Sequence, residues 1–274
     1  MTDGAPSVPG RRRKPPPRSW SSFLDAFHGE RPGITAEILG RCHADGNTPY
    51  QWLVDAVPST GNVIDVACGN APLAPLLGAR WTGVDRSLAE LACGRSPEAR
   101  RAALGDAAAL PFADRAVDSV VCSMALQVME PLQDVLAEIA RVLRPGGRLV
   151  ALVPARRPLT LRDRFRYLGL IRVLRDRISA PNDDALDRLP AVMREAGFEV
   201  VEDRCRRFAY RVEDPDIAER FVSSLYLRGV DAGRVEAANR RARRWVGTSL
   251  GVPIRRFVCV LPTDGSRPGP FSRS

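Results

Sequence analysis

Lysine is almost missing from this 274-residue chain: Lys14 is the only one, so nearly all of the basic charge is carried by arginine. Long apolar runs are missing too. No stretch reaches 18 apolar residues, so no transmembrane helix is expected. The first residues, M-T-D-G-A-P-S-V-P-G-R-R-R-K, lack the apolar segment of a secretion signal, and a cytoplasmic location is the expectation. Cysteines number six (Cys42, Cys68, Cys93, Cys122, Cys205, Cys259), but no two are spaced C-x-x-C. That argues against a zinc site or a disulfide framework and for reduced core thiols; no metal is expected. Histidine is scarce, with only His28 and His43.

What is present starts with charge. The formal net charge is +9, but residues 1–20 alone carry +4 and the last twelve add +1. A basic chain invites a nucleic-acid reading, yet about half of this charge sits in Pro/Gly/Ser/Arg-rich ends. Residues 1–19 and 264–274 read as disordered tails because they have little apolar surface to bury. Between them, 20–263 read as a single domain.

The organising stretch is Asn62–Pro72, N-V-I-D-V-A-C-G-N-A-P. An apolar run, an acid and a turn of very small residues describe a buried parallel strand ending in a loop that a ligand can approach closely. Further strands are expected at 81–84, 102–104, 117–122, 148–153, 198–202 and 256–261. The helix at 132–143 has clean 3–4 apolar spacing and stops at Arg144-Pro145-Gly146-Gly147. Strands alternating with helices imply an α/β, doubly wound sheet with ligands at the carboxyl ends of its strands. Helices are expected before this core, at 20–57, where Thr48 and Pro49 suit an N-cap and first position. Residues 156–250 read as cap helices plus strand six. Within them 156–177 hold eight arginines and two aspartates on a helix whose apolar face is Leu161, Phe165, Leu168, Ile171 and Leu174.

Asp65, Asp85 and Asp106 each close a strand, which gathers three carboxylates at one rim. Asp85 follows Asp65 by about the spacing of a mononucleotide-binding unit whose second acid accepts both ribose hydroxyls. Asp106 could accept from an exocyclic amine. A dinucleotide pattern would want glycine at the position of Pro72, which disfavours NAD.

These stretches, with the A-L-P-F after Asp106 and R-V-L-R-P-G-G-R-L at 141–149, resemble class I S-adenosylmethionine-dependent methyltransferases, in particular the branch similar to quinone-biosynthesis C-methyltransferases. The resemblance covers about residues 60–155. It implies a Rossmann-like seven-stranded sheet, mostly parallel with an antiparallel last strand at 254–262. It implies S-adenosyl-L-methionine as cofactor. Asp65 with Ala67, Cys68, Gly69 and Asn70 would hold the methionine part, Asp85 with Arg86 the ribose, Asp106 with Ala107 the adenine, and Ser123, Met124 and Leu126 the methyl-bearing side. Two departures stand out: the family's G-x-G-x-G loop has Ala67 and Ala71 at its first and third positions, and Gln127 stands where many relatives have histidine. Gln127 and Tyr167 are candidates for substrate binding. His28, Tyr50 and Glu130 are the candidate bases, with His43 and Tyr167 behind them.

A small-molecule acceptor leads, with rRNA or tRNA second and a catalytically inactive cofactor binder third. The D/N-P-P-Y and Pro-Cys signatures of base-modifying relatives are missing. The arginine-rich helix reads as a solvated cap face, a phosphate track, the wall of a hydrophobic pocket or a membrane-surface element.

Overall fold

Val63, Ile64 and Val66 are at most 1% exposed, and the strand they form lies inside an eight-stranded sheet. The computed structural model describes residues 19–175 and 178–263; apart from Ser19, both expected tails lie outside the described residues. In chain order the elements are α1 (Trp20–Glu30), α2 (Ile34–Gly40), β1 (Cys42–His43), α3 (Pro49–Val54), β2 (Val63–Val66), α4 (Ala74–Leu77), β3 (Trp81–Asp85), α5 (Leu88–Ala92), β4 (Ala102–Leu104) and β5 (Val117–Ser123). There follow α6 (Leu132–Val142), β6 (Leu143–Pro154), α7 (Leu161–Leu174), α8 (Asp183–Asp187), α9 (Leu189–Glu195), β7 (Glu199–Val212), α10 (Pro215–Ser223), α11 (Ala232–Ala242) and β8 (Thr248–Val260).

The strand order is β1-β7-β8-β6-β5-β2-β3-β4. Strands β4, β3, β2, β5 and β6 are parallel, and β8 runs antiparallel to both of its neighbours. Alternate residues of each strand serve opposite layers. Val63, Val121, Val150 and Leu152 pack with α3, α7, α10 and α11, whereas Ile64, Val120, Leu149 and Ala151 pack with α6, α8 and α9. This is the doubly wound arrangement expected from the alternation. The chain leaves β2 toward β3 and β4, then returns to β5 on the other side of β2. The crevice of such a sheet opens where the order reverses, at the carboxyl end of β2.

The sheet departs from expectation at its far edge. Strand six runs to Val212 rather than stopping at Glu202, and strand seven starts at Thr248 rather than Arg256. Their ladder continues to the pair Val212↔Thr248. Phe208, Tyr210 and Val212 alternate along one face and are at most 1% exposed, which supplies the burial that lengthens the strand. The lengthened edge is covered by β1, the eighth strand, through Cys42↔Tyr210 and His43↔Ala209. His43 thus lies on a strand instead of a helix. The insert between β7 and β8, residues 213–247, holds the helices α10 and α11, which pack on one face of the sheet. Thr48 caps α3 in a full capping box with Gln51. Of the six cysteines, all free, Cys205 is exposed rather than in the core.

Helix α7 divides its expected apolar face, of which Leu174 is buried and Leu161, Phe165 and Leu168 are not. Leu161, Phe165 and Leu168 are 70%, 69% and 60% exposed, while Asp163, Arg166, Gly169, Leu170 and Leu174 are buried. Polar partners decide this. Asp163 accepts from Arg207 Nε (2.7 Å), the Gly251 amide (2.8 Å) and Thr160 Oγ1 (2.6 Å). Arg166 donates to Ser249 O and Thr248 Oγ1, both at 2.6 Å, and stacks over Trp245 at 5.6 Å. A Cβ on Gly169 would lie 2.1 Å from the Arg241 guanidinium of α11, which would have to shift to admit it.

Candidate functional site

The loop after β2 takes left-handed backbone at Ala67 (φ 57°), Gly69 (φ 54°) and Ala71 (φ 63°). Those are the three positions where the related loop has glycine, and two of them hold that conformation here at the steric cost of a Cβ. The turn keeps the shape that brings backbone to the cleft. It is fixed by Asp85, whose Oδ2 accepts the Gly69 amide at 2.7 Å and whose Oδ1 accepts the Ser87 amide at 2.8 Å. Each Asp85 oxygen retains a second lone pair. Burial raises the Asp85 pKa, opposed by these two amides.

Asp65, in the middle of the crevice, is 1% exposed. Its Oδ2 accepts from Trp81 Nε1 at 3.0 Å, and Oδ1 has no partner among the described residues. Burial pushes its pKa up to about 7, with the Trp81 hydrogen bond opposing and Asp85 adding to the rise. Asp106, at the mouth, is exposed and folds back in an Asx turn, accepting the Ala108 amide at 2.9 Å.

A cleft of about 1190 Å³, its open mouth included, is lined by Asp65, Ala67, Cys68, Gly69, Asn70, Asp85, Arg86, Asp106, Ala107, Ser123 and Met124, and also by His28, Tyr50 and Glu130. Four expected residues lie elsewhere. Leu126 is fully buried beneath the floor. Gln127 is 3% exposed and donates from Nε2 to Met124 O at 2.6 Å, so it braces the Met124 turn. Tyr167 donates to Gly251 O at 3.0 Å inside the α7 layer. His43 is at the sheet's far edge.

Sequence reasoning missed the clasp over the cleft. Glu90, 5% exposed, accepts from the Gly33 amide (2.8 Å) and lies 2.7 Å from His28 Nδ1. His28 Nε2 lies 3.5 Å from Tyr226 Oη, and the Tyr226 ring packs on Phe27 at 4.9 Å. Arg86 donates to Asp25 Oδ1 (2.9 Å) and Ser21 Oγ (3.1 Å), so it ties α1 to the rim instead of standing free for a ribose. The S-x-x-E spelling of Ser87–Glu90 reads as a helix-start box, and Ser87 does accept the Glu90 amide. Only the tertiary fold shows that the Glu90 carboxylate faces His28. Tyr226, in the insert, carries no local signal.

The profile of the Methyltransferase domain family matches residues 64–151, the run from β2 into β6. Over 178 residues the chain is 32% identical to the ubiquinone/menaquinone biosynthesis C-methyltransferase UbiE of Acidiphilium cryptum, covering 56% of this chain and 68% of that protein. The chain belongs to the class I S-adenosylmethionine-dependent methyltransferases. This methyltransferase is also 33% identical over 171 residues to UbiE of Paracoccus denitrificans (54% of this chain, 66% of that one). With the malonyl-acyl-carrier-protein O-methyltransferase of Alcanivorax borkumensis it shares 38% identity over 120 residues, 40% of each chain. The match thus spans under two thirds of these last two relatives' lengths. A putative methyltransferase from Bacillus halodurans superposes with TM-score 0.54 at 18% identity, over 78% of this chain and 99% of that one. The cyclase SpnF gives TM-score 0.58, also at 18%, over 90% and 99%. At that identity the likeness is one of fold.

Proposed function

We propose that this methyltransferase binds S-adenosyl-L-methionine at the carboxyl ends of β2–β4 and transfers its methyl group to a small molecule held in the same cleft. Asp65 carries the reading. A carboxylate this deeply buried, with one oxygen unpartnered, suits a cationic amine such as that of the cofactor's amino-acid end. The left-handed loop from Ala67 to Ala71 lets that end approach backbone, the spare lone pairs of Asp85 suit ribose hydroxyls, and Asp106 at the mouth suits an exocyclic amine. When bound, the sulfonium supplies an already activated methyl group, so alignment contributes much of the acceleration.

For an acceptor that must lose a proton, His28 is the base the geometry favours. Glu90 can hold a proton on Nδ1, leaving the Nε2 lone pair, beside Tyr226, to receive one. Burial pushes the Tyr50 pKa up, which disqualifies it at neutral pH, and Glu130 is exposed with no orienting partner among the described residues. The test is transfer of labelled methyl to a panel of phenolic and carboxylate small molecules. His28→Ala should lower turnover about a hundredfold with cofactor affinity retained, and Glu90→Gln less. Equal turnover in His28→Ala would remove the base assignment; transfer to bulk tRNA but to no small molecule would overturn the acceptor class.

A further inference from the structure

The feature that the cleft leaves unused is the outward face of α7. Leu161, Phe165 and Leu168 fall on one stripe, 60–70% exposed, with Ile171 beside them at 37%. None of them lines the cleft. A closely spaced set of large apolar side chains in solvent usually marks a contact surface. The stripe is interleaved with exposed Arg164 and Arg172 and flanked by exposed Arg157 and Arg162. Among the described residues, no carboxylate lies within ion-pair distance of these four arginines. The one acid of α7, Asp163, is turned inward and spent on Arg207 and Gly251. The outward face is therefore apolar and cationic, on a helix of 14 residues, about 21 Å long.

We infer that α7 is a docking surface for an anionic lipid bilayer, lying in the interface plane with Leu161, Phe165 and Leu168 among the acyl chains and its arginines at the phosphates. Charge complementarity selects this occupant. Two copies of the chain facing each other through α7 would set arginine rows against arginine rows. An RNA backbone would pair with the guanidiniums but leave Phe165 and the two leucines against phosphate. A bilayer surface satisfies both parts, since arginine stems lie along apolar surface while their heads reach the phosphates. The inference does not depend on methyl transfer.

The test is sedimentation of the full chain with vesicles of phosphatidylcholine containing about 30% phosphatidylglycerol. The chain should partition onto them, and at least about tenfold less onto pure phosphatidylcholine or in about 1 M salt. The triple variant Leu161→Ser/Phe165→Ser/Leu168→Ser should lose about tenfold or more. So should the pair Arg164→Glu/Arg172→Glu, checked as folded by circular dichroism; removal of residues 1–18 should leave binding in place. No partition by the folded chain would overturn the inference, as would unchanged binding in both variants. Variants that abolish dimer formation or RNA binding, with no effect on vesicles, would also overturn it and assign the face to that partner.

Discussion

Helices α6 and α7 carry apolar residues at the same spacing and meet opposite fates. In α6, Leu132, Val135, Leu136, Ile139 and Val142 are all buried against the sheet. In α7, the corresponding stripe of Leu161, Phe165 and Leu168 faces solvent, and the inward side is built from Asp163, Arg166, Leu170 and Leu174. Spacing identifies a helix and its two faces. Which face turns inward depends on what the neighbouring layer offers. Beneath α6 lies the apolar pleat of β5 and β6. Beside α7 lie the Gly251 amide, the Ser249 carbonyl and the Arg207 guanidinium, which Asp163 and Arg166 satisfy and which need polar partners more than α7's leucines need burial.

The largest effects should separate the two helices cleanly. Leu136→Ala, at a site with no exposed surface, should cost about 3 kcal/mol in denaturant unfolding, against less than about 0.5 kcal/mol for Leu168→Ala. Similar losses would mean that the outward stripe of α7 is covered. On the same helix, Asp163→Ala should cost about 3 kcal/mol, because it strands Arg207 and the Gly251 amide. Burial raises the Asp163 pKa, but Arg207, Thr160 and Gly251 more than offset it and hold the carboxyl well below the usual range. Its contribution is therefore complete above about pH 4 and lost only as pH falls further. A urea midpoint that drops between pH 8 and 5 because of Asp163 would contradict this.

Asp65 has the opposite sign. With its pKa up at about 7, the folded state binds the extra proton between about pH 4 and 7, so stability declines as pH rises through that window and is flat above it. A cationic amine binds the ionised form, so cofactor affinity should rise about fivefold from pH 6 to about 7.5, before the ligand's own α-ammonium loses its proton. Asp65→Asn should remove both trends; persistence of either would assign it to another group. The smallest effect belongs to the loop. Ala67→Gly should raise stability by about 0.5–1 kcal/mol by relieving a left-handed alanine, less the flexibility gained by the unfolded chain.

The region from β2 to β6 was legible in sequence because each strand is a short apolar run closed by an acid or turn, and because local chemistry fixes α3 and the stop of α6. The acidic rim followed from the same endings. Three things were not legible. The long β7–β8 ladder was hidden by arginines outside its buried alternation, although Phe208-x-Tyr210-x-Val212 carried the period. The outward turn of Leu161, Phe165 and Leu168 depends on polar partners of Asp163 and Arg166 that lie 44 to 88 residues away. The His28–Glu90–Tyr226 clasp joins three separate segments, and no local pattern reports such a meeting.

The most direct measurement is calorimetric titration of the folded chain with S-adenosyl-L-methionine and, separately, with its demethylated product. Micromolar binding is expected, weakened at least about tenfold in Asp106→Ala, whose side chain makes only an Asx turn and whose loss should leave the fold intact. A folded protein that takes up neither ligand, or an Asp106→Ala variant that binds both as well as the parent, would contradict the assignment of this cleft.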